Sequence, residues 1–277
     1  MRPREGPSSI EVHARAYSYD AGAAGPELTR PIAVEAPVQV IIGGAPFAVM
    51  MATPRDLEDF AYGFALSEQI AERVEDIRGV EVEEVEQGWR LQLALSGERL
   101  KAHLARGRAM SGRTGCGLCG IEDFSQMPSP RPVARPSAAI APAAVGAAVA
   151  ALDGAQPLNR LTRAVHGAAW CELDGRIRLL REDVGRHNAL DKAIGALWRA
   201  GAAPADGFFV ITSRCSFEMV AKAAAFGAAT LVSLSAPTSL ALERARQFGV
   251  EVIAVARRDR ALCFEGGREE TTGGLAA

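Results

Sequence analysis

Two cysteines separated by two residues mark the stretch of this chain best suited to chemistry. Cys116 and Cys119 stand in the run Gly115-Cys116-Gly117-Leu118-Cys119-Gly120. The three glycines favour a loop that exposes sulfur, because inert cysteines are usually packed as small apolar residues. The spacing suits three chemistries: half of a tetrahedral zinc site, a dithiol/disulfide couple, or a thiolate nucleophile that carries a group.

The zinc and redox chemistries each require neighbours that this stretch lacks. A zinc-dependent deaminase needs His-x-Glu together with Pro-Cys-x-x-Cys, but none of the four histidines has Glu two residues later. Gly115, and not proline, precedes Cys116. A closed zinc site needs four ligands, and a redox dithiol normally opens a helix after a strand. We predict no metal ligands, and keep a dithiol redox protein, a zinc-binding interaction module and a deaminase-type hydrolase as alternatives.

The composition is that of an ordinary globular protein. The 277 residues are 48% hydrophobic and 23% charged, enough to bury a sizeable core in one large domain or two smaller ones. A net charge of −2 favours neither nucleic acid nor an anionic membrane as partner. No apolar run reaches the roughly 20 residues of a membrane span, and the charged start lacks an apolar signal core. Five cysteines are too few for a secreted disulfide framework, so we expect a cytoplasmic protein with free thiols.

The first half of the chain predicts a small α+β domain behind an arm. Residues 1–30 lack periodicity and are predicted to form a flexible N-terminal arm. Within a domain over 31–110, hairpins are predicted over 38–51 and 80–95, the first turning at Gly43-Gly44. Between them, Thr53 is predicted to cap a helix that runs to about Ala71.

The cysteines fall between this domain and a second one. Residues 111–136 are predicted to be the cysteine loop and a proline-rich linker, and residues 266–277 a flexible tail. Over 137–265 a hairpin turns at Asp174-Gly175, and Asn188 is predicted to cap the helix that follows. Strands over 208–211, 230–234 and 250–255 then alternate with helices over 217–226 and 238–248. This predicts an α/β fold, with helices on both faces of a mixed sheet.

Two segments that leave predicted strands and begin predicted helices are rich in hydroxyl groups. They are Thr212-Ser213-Arg214-Cys215-Ser216 and Ser235-Ala236-Pro237-Thr238-Ser239. In open α/β sheets, ligands bind beyond the carboxyl ends of the strands, where helix N-termini expose N–H groups. We expect Ser216 and Thr238 to cap their helices, and Arg214 and Ser235 to lie within reach of a bound anion.

Two further clusters of charge border the same predicted sheet. The run Arg257-Arg258-Asp259-Arg260 directly follows the last predicted strand, and it is either a solvated turn or a phosphate clamp. The run from Arg181 to Asn188 is dense in ionisable residues, which fits either buried ion pairs or a functional site. Its His187 is our candidate functional histidine, whereas His166 fits a structural role equally well.

Four segments taken together resemble the formate dehydrogenase accessory sulfurtransferase family, the FdhD proteins. They are GRTGCGLCGIE (112–122), REDVGRHNALDK (181–192), SFEMVAKAAAFG (216–227) and SAPTSLA (235–241). The resemblance implies a cytoplasmic homodimer that takes persulfide sulfur from a cysteine desulfurase. It also implies transfer of that sulfur to the molybdenum cofactor of formate dehydrogenase, and a C-terminal domain similar to cytidine deaminases.

The resemblance also assigns residues. Cys116 becomes the persulfide carrier and Cys119 its auxiliary, and the acceptor is bis(molybdopterin guanine dinucleotide) molybdenum cofactor, with GDP as a mimic. The family's cofactor segment falls on Val255, Ala256, Arg257, Arg258, Asp259 and Arg260. Arg214, Ser235, Thr238 and His187 complete the predicted binding set. The chain departs from the family at Arg163 and Ser213, where glycine is usual. The resemblance does not specify which molybdenum or tungsten enzyme is the client.

Overall fold

The protein is described here from a computed structural model that covers residues 5–17, 19, 24–107, 113–114, 129–134 and 139–264. Cys116, Cys119, most of the predicted linker and the C-terminal tail lie outside the described residues. The described part contains a two-stranded, a five-stranded and a six-stranded sheet. None of its helices is long and apolar enough to cross a membrane.

The five-stranded sheet belongs to the first half of the chain. Its elements are β3 (Ala36–Ile42), β4 (Ala45–Ala52), α1 (Leu57–Ser67), β5 (Ile77–Val85), β6 (Gly88–Leu95), α2 (Gly97–Gly107) and β7 (Arg113–Thr114), in the strand order β5-β6-β3-β4-β7. Both predicted hairpins are confirmed, and the turn between β3 and β4 has positive φ at Gly43 and Gly44. Alternate residues of the sheet pack with Phe60 and Phe64 of α1 in one hydrophobic core.

The prediction of an arm without regular structure over 1–30 is wrong for the described part. Strands β1 (Ser9–Tyr17) and β2 (Ala24–Ala33) form an antiparallel pair in which Ile10 faces Ile32. Both residues are exposed. The weak apolar pattern of this segment follows from that exposure, because a strand that buries little has no need of strict alternation.

The start of α1 also differs from the prediction. The helix begins at Leu57 behind Asp56, whose φ of 51° places it in the left-handed region, and it ends at Ser67. Thr53 does not cap it. The backbone N–H of Thr53 donates to Asp183, 130 residues away, and its hydroxyl accepts from the Val184 N–H.

The six-stranded sheet belongs to the second half. Its elements are α3 (Pro142–Ala155), α4 (Pro157–Thr162), β8 (His166–Glu172), β9 (Ile177–Asp183), α5 (Arg186–Arg199), β10 (Gly207–Ile211), α6 (Phe217–Phe226), β11 (Thr230–Ser233), α7 (Ser239–Phe248), β12 (Glu251–Ala254) and β13 (Leu262–Phe264). The strand order is β13-β12-β11-β10-β8-β9, with β10, β11 and β12 parallel and the others antiparallel to their neighbours.

Helices cover both faces of this mixed sheet, as predicted. Phe209 and Ile211 of β10 pack in a core with residues of α5, α6 and α7. The alternate residues Phe208 and Val210 pack in a second core with residues of α3. The α/β class is therefore confirmed, while the likeness to cytidine deaminases stays a prediction.

The two halves meet where α1 crosses α5. A Cβ atom added to Gly63 would overlap the backbone of Asp191, and one added to Gly195 would overlap the backbone of Asp59. The helices therefore touch backbone to backbone at a pair of glycines. Around this point Arg181 and Arg199 both bind the carboxylate of Asp59, with N···O distances of 2.6 to 3.0 Å.

Candidate functional site

The carboxyl ends of the parallel strands β10, β11 and β12 bring three predicted segments together. The Ser233 hydroxyl donates to the Ser213 carbonyl at 2.8 Å. The Thr238 N–H donates to the Cys215 carbonyl at 3.0 Å, which joins the segment after β11 to the segment after β10. The Val255 N–H donates to the Ser235 carbonyl at 3.2 Å. Predicted binding residues from all three segments therefore lie along one edge of the sheet.

The start of α5 adds His187 to this edge. Strand β9 ends at Asp183, which pairs with His166 at the beginning of β8. The Gly167 N–H donates to the hydroxyl of Thr212, just beyond the end of β10, at 2.9 Å. Helix α5 begins at Arg186 with Gly185 as its N-cap residue, so the prediction that Asn188 caps it is wrong.

His187 is buried without a partner for one of its ring nitrogens. The residue is 8% exposed, and its Nε2 atom has no hydrogen-bond partner among the described residues. Burial lowers the pKa of His187 to about 3, and the positive charges of Lys222 and Arg186 and the neighbouring His166 act in the same direction. The imidazole is therefore neutral near neutral pH, with one ring nitrogen as acceptor and the other as donor.

Ser216 also keeps a buried polar atom unused. It occupies the N-cap position of α6 and is 9% exposed, but its hydroxyl makes no capping hydrogen bond and has no other partner in the part of the chain that the structure describes. The predicted cap is therefore wrong for Ser216, whereas Thr238 does cap α7 by accepting from the Ala241 N–H at 3.3 Å. Buried polar atoms are nearly always paired, so unpaired ones on Arg186, His187 and Ser216 at two described helix N-termini are a signal for a bound ligand.

The arginines at this edge divide into two groups. Arg257 donates to the carbonyl oxygens of Leu234 and Ala256, and Arg258 forms an ion pair with Asp153 at 2.9 Å. Both thus hold the turn in place. Arg214 and Arg260 are exposed, and their side chains have no hydrogen-bond or ion-pair partner within the described ranges. Both are therefore available to an anionic ligand.

Val255 adds backbone strain to the predicted cofactor segment. Its φ of 53° lies in the left-handed region, which a β-branched residue rarely adopts. Such strain costs of order 1–3 kcal/mol and occurs most often at functional sites. The sequence contains no signal for it, because a β-branched residue does not favour this conformation by itself.

The two departures from the family pattern differ in their backbone. Arg163 follows α4 with a φ of 59°, the left-handed conformation that glycine adopts most easily. Ser213 is buried and has no positive φ, so its conformation does not require glycine. Only the Arg163 departure therefore has a conformational cost.

The two buried cysteines among the described residues are unsuited to carry sulfur. Burial raises the pKa of Cys171 and of Cys215 to about 12, so both stay protonated thiols. Cys263 is exposed, with its Sγ 3.6 Å from a carboxylate oxygen of Glu251. No group of three or more metal-binding side chains occurs within the part of the chain that the structure covers.

The segment that holds Cys116 and Cys119 begins on the five-stranded sheet. Its last described residues before the cysteines, Arg113 and Thr114, form β7 and pair in parallel with Ala48 and Val49 of β4. The next described residues, Ser129–Arg131, border a groove of about 710 Å³. Helices α1, α2 and α6 contribute to this groove, but the candidate residues at the edge of the six-stranded sheet do not line it.

The two larger sheets and their helices define a two-part α/β protein, with a candidate ligand site beyond the parallel strands. Comparisons with known proteins give its relatives. The FdhD/NarQ family model matches residues 33–270. The chain is 48% identical over 226 residues to the sulfur carrier protein FdhD of Xanthomonas axonopodis pv. citri, covering 82% of this chain and 80% of that protein.

A second relative, the sulfur carrier protein FdhD of Bordetella petrii, is 42% identical over 84% of both chains. A crystal structure from Desulfotalea psychrophila, described as a formate dehydrogenase accessory protein, superposes with a TM-score of 0.69 and 25% identity. That match covers 93% of this chain and 97% of the other. The chain belongs to the FdhD/NarQ family.

Proposed function

We propose that this protein is a sulfur carrier for the maturation of formate dehydrogenase. In this proposal it accepts persulfide sulfur on Cys116 from a cysteine desulfurase and passes it to the molybdenum cofactor of the client enzyme. The match to relatives described as sulfur carrier proteins carries the proposal. The resemblance of the four sequence segments also supports a cytoplasmic homodimer as the working form.

The loading step needs an exposed thiolate. The Cys116 thiolate attacks the terminal sulfur of the donor's persulfide, the donor S–S bond breaks, and the donor cysteine leaves as a thiolate. Cys171 and Cys215 cannot take this role, because burial raises the pKa of each thiol to about 12. Arg113 stands three residues before Cys116 in the sequence, and a nearby positive charge lowers the pKa of a thiol.

The release step uses the second cysteine. The Cys119 thiolate attacks the Cys116 sulfur, a disulfide forms between the two cysteines, and hydrosulfide leaves toward the acceptor. The two thiolates thus supply the electron pair that reduces the sulfane sulfur to sulfide. An external thiol then reduces the disulfide and resets the carrier.

The acceptor substrate in this proposal is the bis(molybdopterin guanine dinucleotide) molybdenum cofactor. Its phosphates require cations and free N–H groups, and Arg214, Arg260 and the N-termini of α5 and α6 supply both. Its heterocycles require neutral polar partners, and the unpaired atoms of His187 and Ser216 match that need. GDP carries one of its guanine nucleotide ends and serves as the probe.

Mass spectrometry of two variants tests the carrier assignment. After incubation with a cysteine desulfurase and cysteine, the wild type gains about 32 Da, the mass of one sulfur atom, and Cys116→Ala gains nothing. Cys119→Ala keeps the adduct but delivers less sulfur. A dithiol redox couple predicts equal inactivity of both variants. An adduct that persists in Cys116→Ala and is absent from Cys119→Ala would show that the carrier is the other cysteine.

A further inference from the structure

A polar network centred on fully buried side chains joins the two halves of the protein. Both carboxylate oxygens of Asp183 are fully used: one accepts from Lys192 Nζ at 2.6 Å and the Thr53 N–H at 3.0 Å. The other accepts from the Gly185 N–H at 2.7 Å and Asn188 Nδ2 at 3.1 Å. Asp183, Lys192 and Thr53 are 0% exposed. Every strong bond that this carboxylate can accept is made.

The network holds the end of strand β4. Lys192 Nζ also donates to the Thr53 carbonyl at 2.9 Å, and Asn188 Nδ2 donates to the Met51 carbonyl at 2.8 Å. Val184 N–H donates to the Thr53 hydroxyl. Thr53 thus bonds through its N–H, its carbonyl and its hydroxyl, so the chain at the end of β4 has little freedom to shift relative to α5.

Strand β4 leads from this network to the carrier segment. Thr114 pairs with Val49, four residues before Thr53, and Cys116 follows Thr114 by two residues in the sequence. At about 3.4 Å per residue, the network lies roughly 14 Å along the strand from the point where the carrier segment is attached.

The other end of the network is the candidate acceptor edge. Asp183 is the last residue of β9, and Gly185 is the N-cap of α5, next to Arg186 and His187. The same side chains therefore set both the position of β4, which bears the carrier segment, and the start of α5, which borders the acceptor.

We propose that Asp183 and Lys192 are positioning residues for sulfur release from Cys116, an inference that rests on the proposed sulfur-carrier function. Release requires the Cys116 sulfur to meet the acceptor at the sheet edge. A displacement of about 1 Å can slow such a step by about a hundredfold. Loading does not share this requirement, because the donor brings its own persulfide to the cysteine segment.

The test separates loading from release in Lys192→Met. Loading is measured as the sulfur adduct on Cys116 after incubation with a desulfurase and cysteine. Release is measured as the rate at which the loaded protein activates formate dehydrogenase that was produced without it. We expect unchanged loading, a GDP affinity within about twofold of wild type, and activation slowed at least about tenfold.

Lys222→Met is the matched control. Lys222 is also a buried lysine, and it binds Asp191 at 2.8 Å and the Ser67 hydroxyl at 2.8 Å. It joins α6 to α5 and α1, but not to β4. Loss of its charge should destabilise the fold comparably while leaving activation near the wild-type rate, when both variants are assayed well below their melting temperatures.

A milder variant keeps the inference testable if Lys192→Met does not fold. Asn188→Ala removes only the hydrogen bonds to Met51 and to Asp183, and we expect the same selective loss of activation, smaller in size. Activation at the wild-type rate in Lys192→Met, or an equal loss in Lys222→Met, would overturn the inference. A wild type that takes up no sulfur adduct would instead refute the proposed function, and this inference with it.

Discussion

The neutral, buried state of His187 makes the stability of this protein depend on pH in a predictable direction. Burial lowers the pKa of His187 to about 3 in the folded protein, whereas the ordinary value in an unfolded chain is 6.5. Below pH 6.5 the unfolded chain therefore binds a proton that the folded protein does not. The stabilising contribution is complete above pH 6.5 and is lost progressively as the pH falls toward 3.

The size of the effect follows from the difference in bound protons. Between about pH 7.5 and about pH 5.5, the unfolded imidazole goes from mostly neutral to mostly protonated, while the folded one stays neutral. Integration gives a loss of about 1.4 kcal/mol in the free energy of unfolding. This figure depends on the ordinary pKa and hardly on the folded one, provided that the latter lies well below 5.5.

Replacement of His187 by glutamine isolates the contribution of this imidazole to the pH dependence of the free energy of unfolding. The pKa of His166 is also lowered by burial, so the wild-type protein alone reports more than one group. We expect wild type to lose about 1.4 kcal/mol more than His187→Gln between the two pH values, in urea unfolding followed by circular dichroism. His13→Gln, at an exposed position of β1, should behave as wild type. Equal losses in wild type and His187→Gln would refute a neutral buried imidazole.

Two further predictions address ligand binding and the junction of the two halves. Arg214→Ala together with Arg260→Ala should weaken GDP at least about tenfold in calorimetry, since each charge-assisted phosphate contact contributes about 1.5–3 kcal/mol. Arg258→Ala should lower GDP affinity less, because the Arg258 side chain already pairs with a carboxylate. A larger loss of affinity in Arg258→Ala than in the double variant would place the phosphate site at Arg258 instead. Gly195→Ala should lower the free energy of unfolding by about 3 kcal/mol or more, because its methyl group overlaps backbone. Gly154→Ala, in an open position of α3, should instead raise it by about 0.5–1 kcal/mol, and similar effects of the two changes would contradict the close crossing.

The local patterns of the chain were sufficient for most of the fold. Gly43-Gly44 and Asp174-Gly175 identify hairpins because positive φ at a turn is a property of the turn residues themselves. The alternation of apolar strands and helices after residue 207 identifies a sheet covered on both faces. Parallel strands end at one edge, so the sequence also predicted correctly that the segments after β10, β11 and β12 lie together.

Pairings across the junction could not be read from any local pattern. Thr53 and Asn188 are both residues that cap helices well, yet neither does so here. Each instead bonds across the junction, Thr53 to Asp183 and Asn188 to Met51, between partners more than a hundred residues apart. A side chain that can cap a helix can instead bond to a residue that is distant in the sequence. Only the tertiary structure shows which distant residues are close enough to do so.

Partners brought close by folding also determine which polar groups at the sheet edge remain unpaired. Arg257 and Arg260 look equivalent in the sequence, but Arg257 is engaged by nearby carbonyl groups and Arg260 is not. Ser216 stands in the position of a cap and leaves its hydroxyl unused. Residue type and order specified which groups reach the sheet edge. Which of them remain available to a ligand depends on burial and on distant partners, because a hydrogen bond made within the protein removes a group from the site.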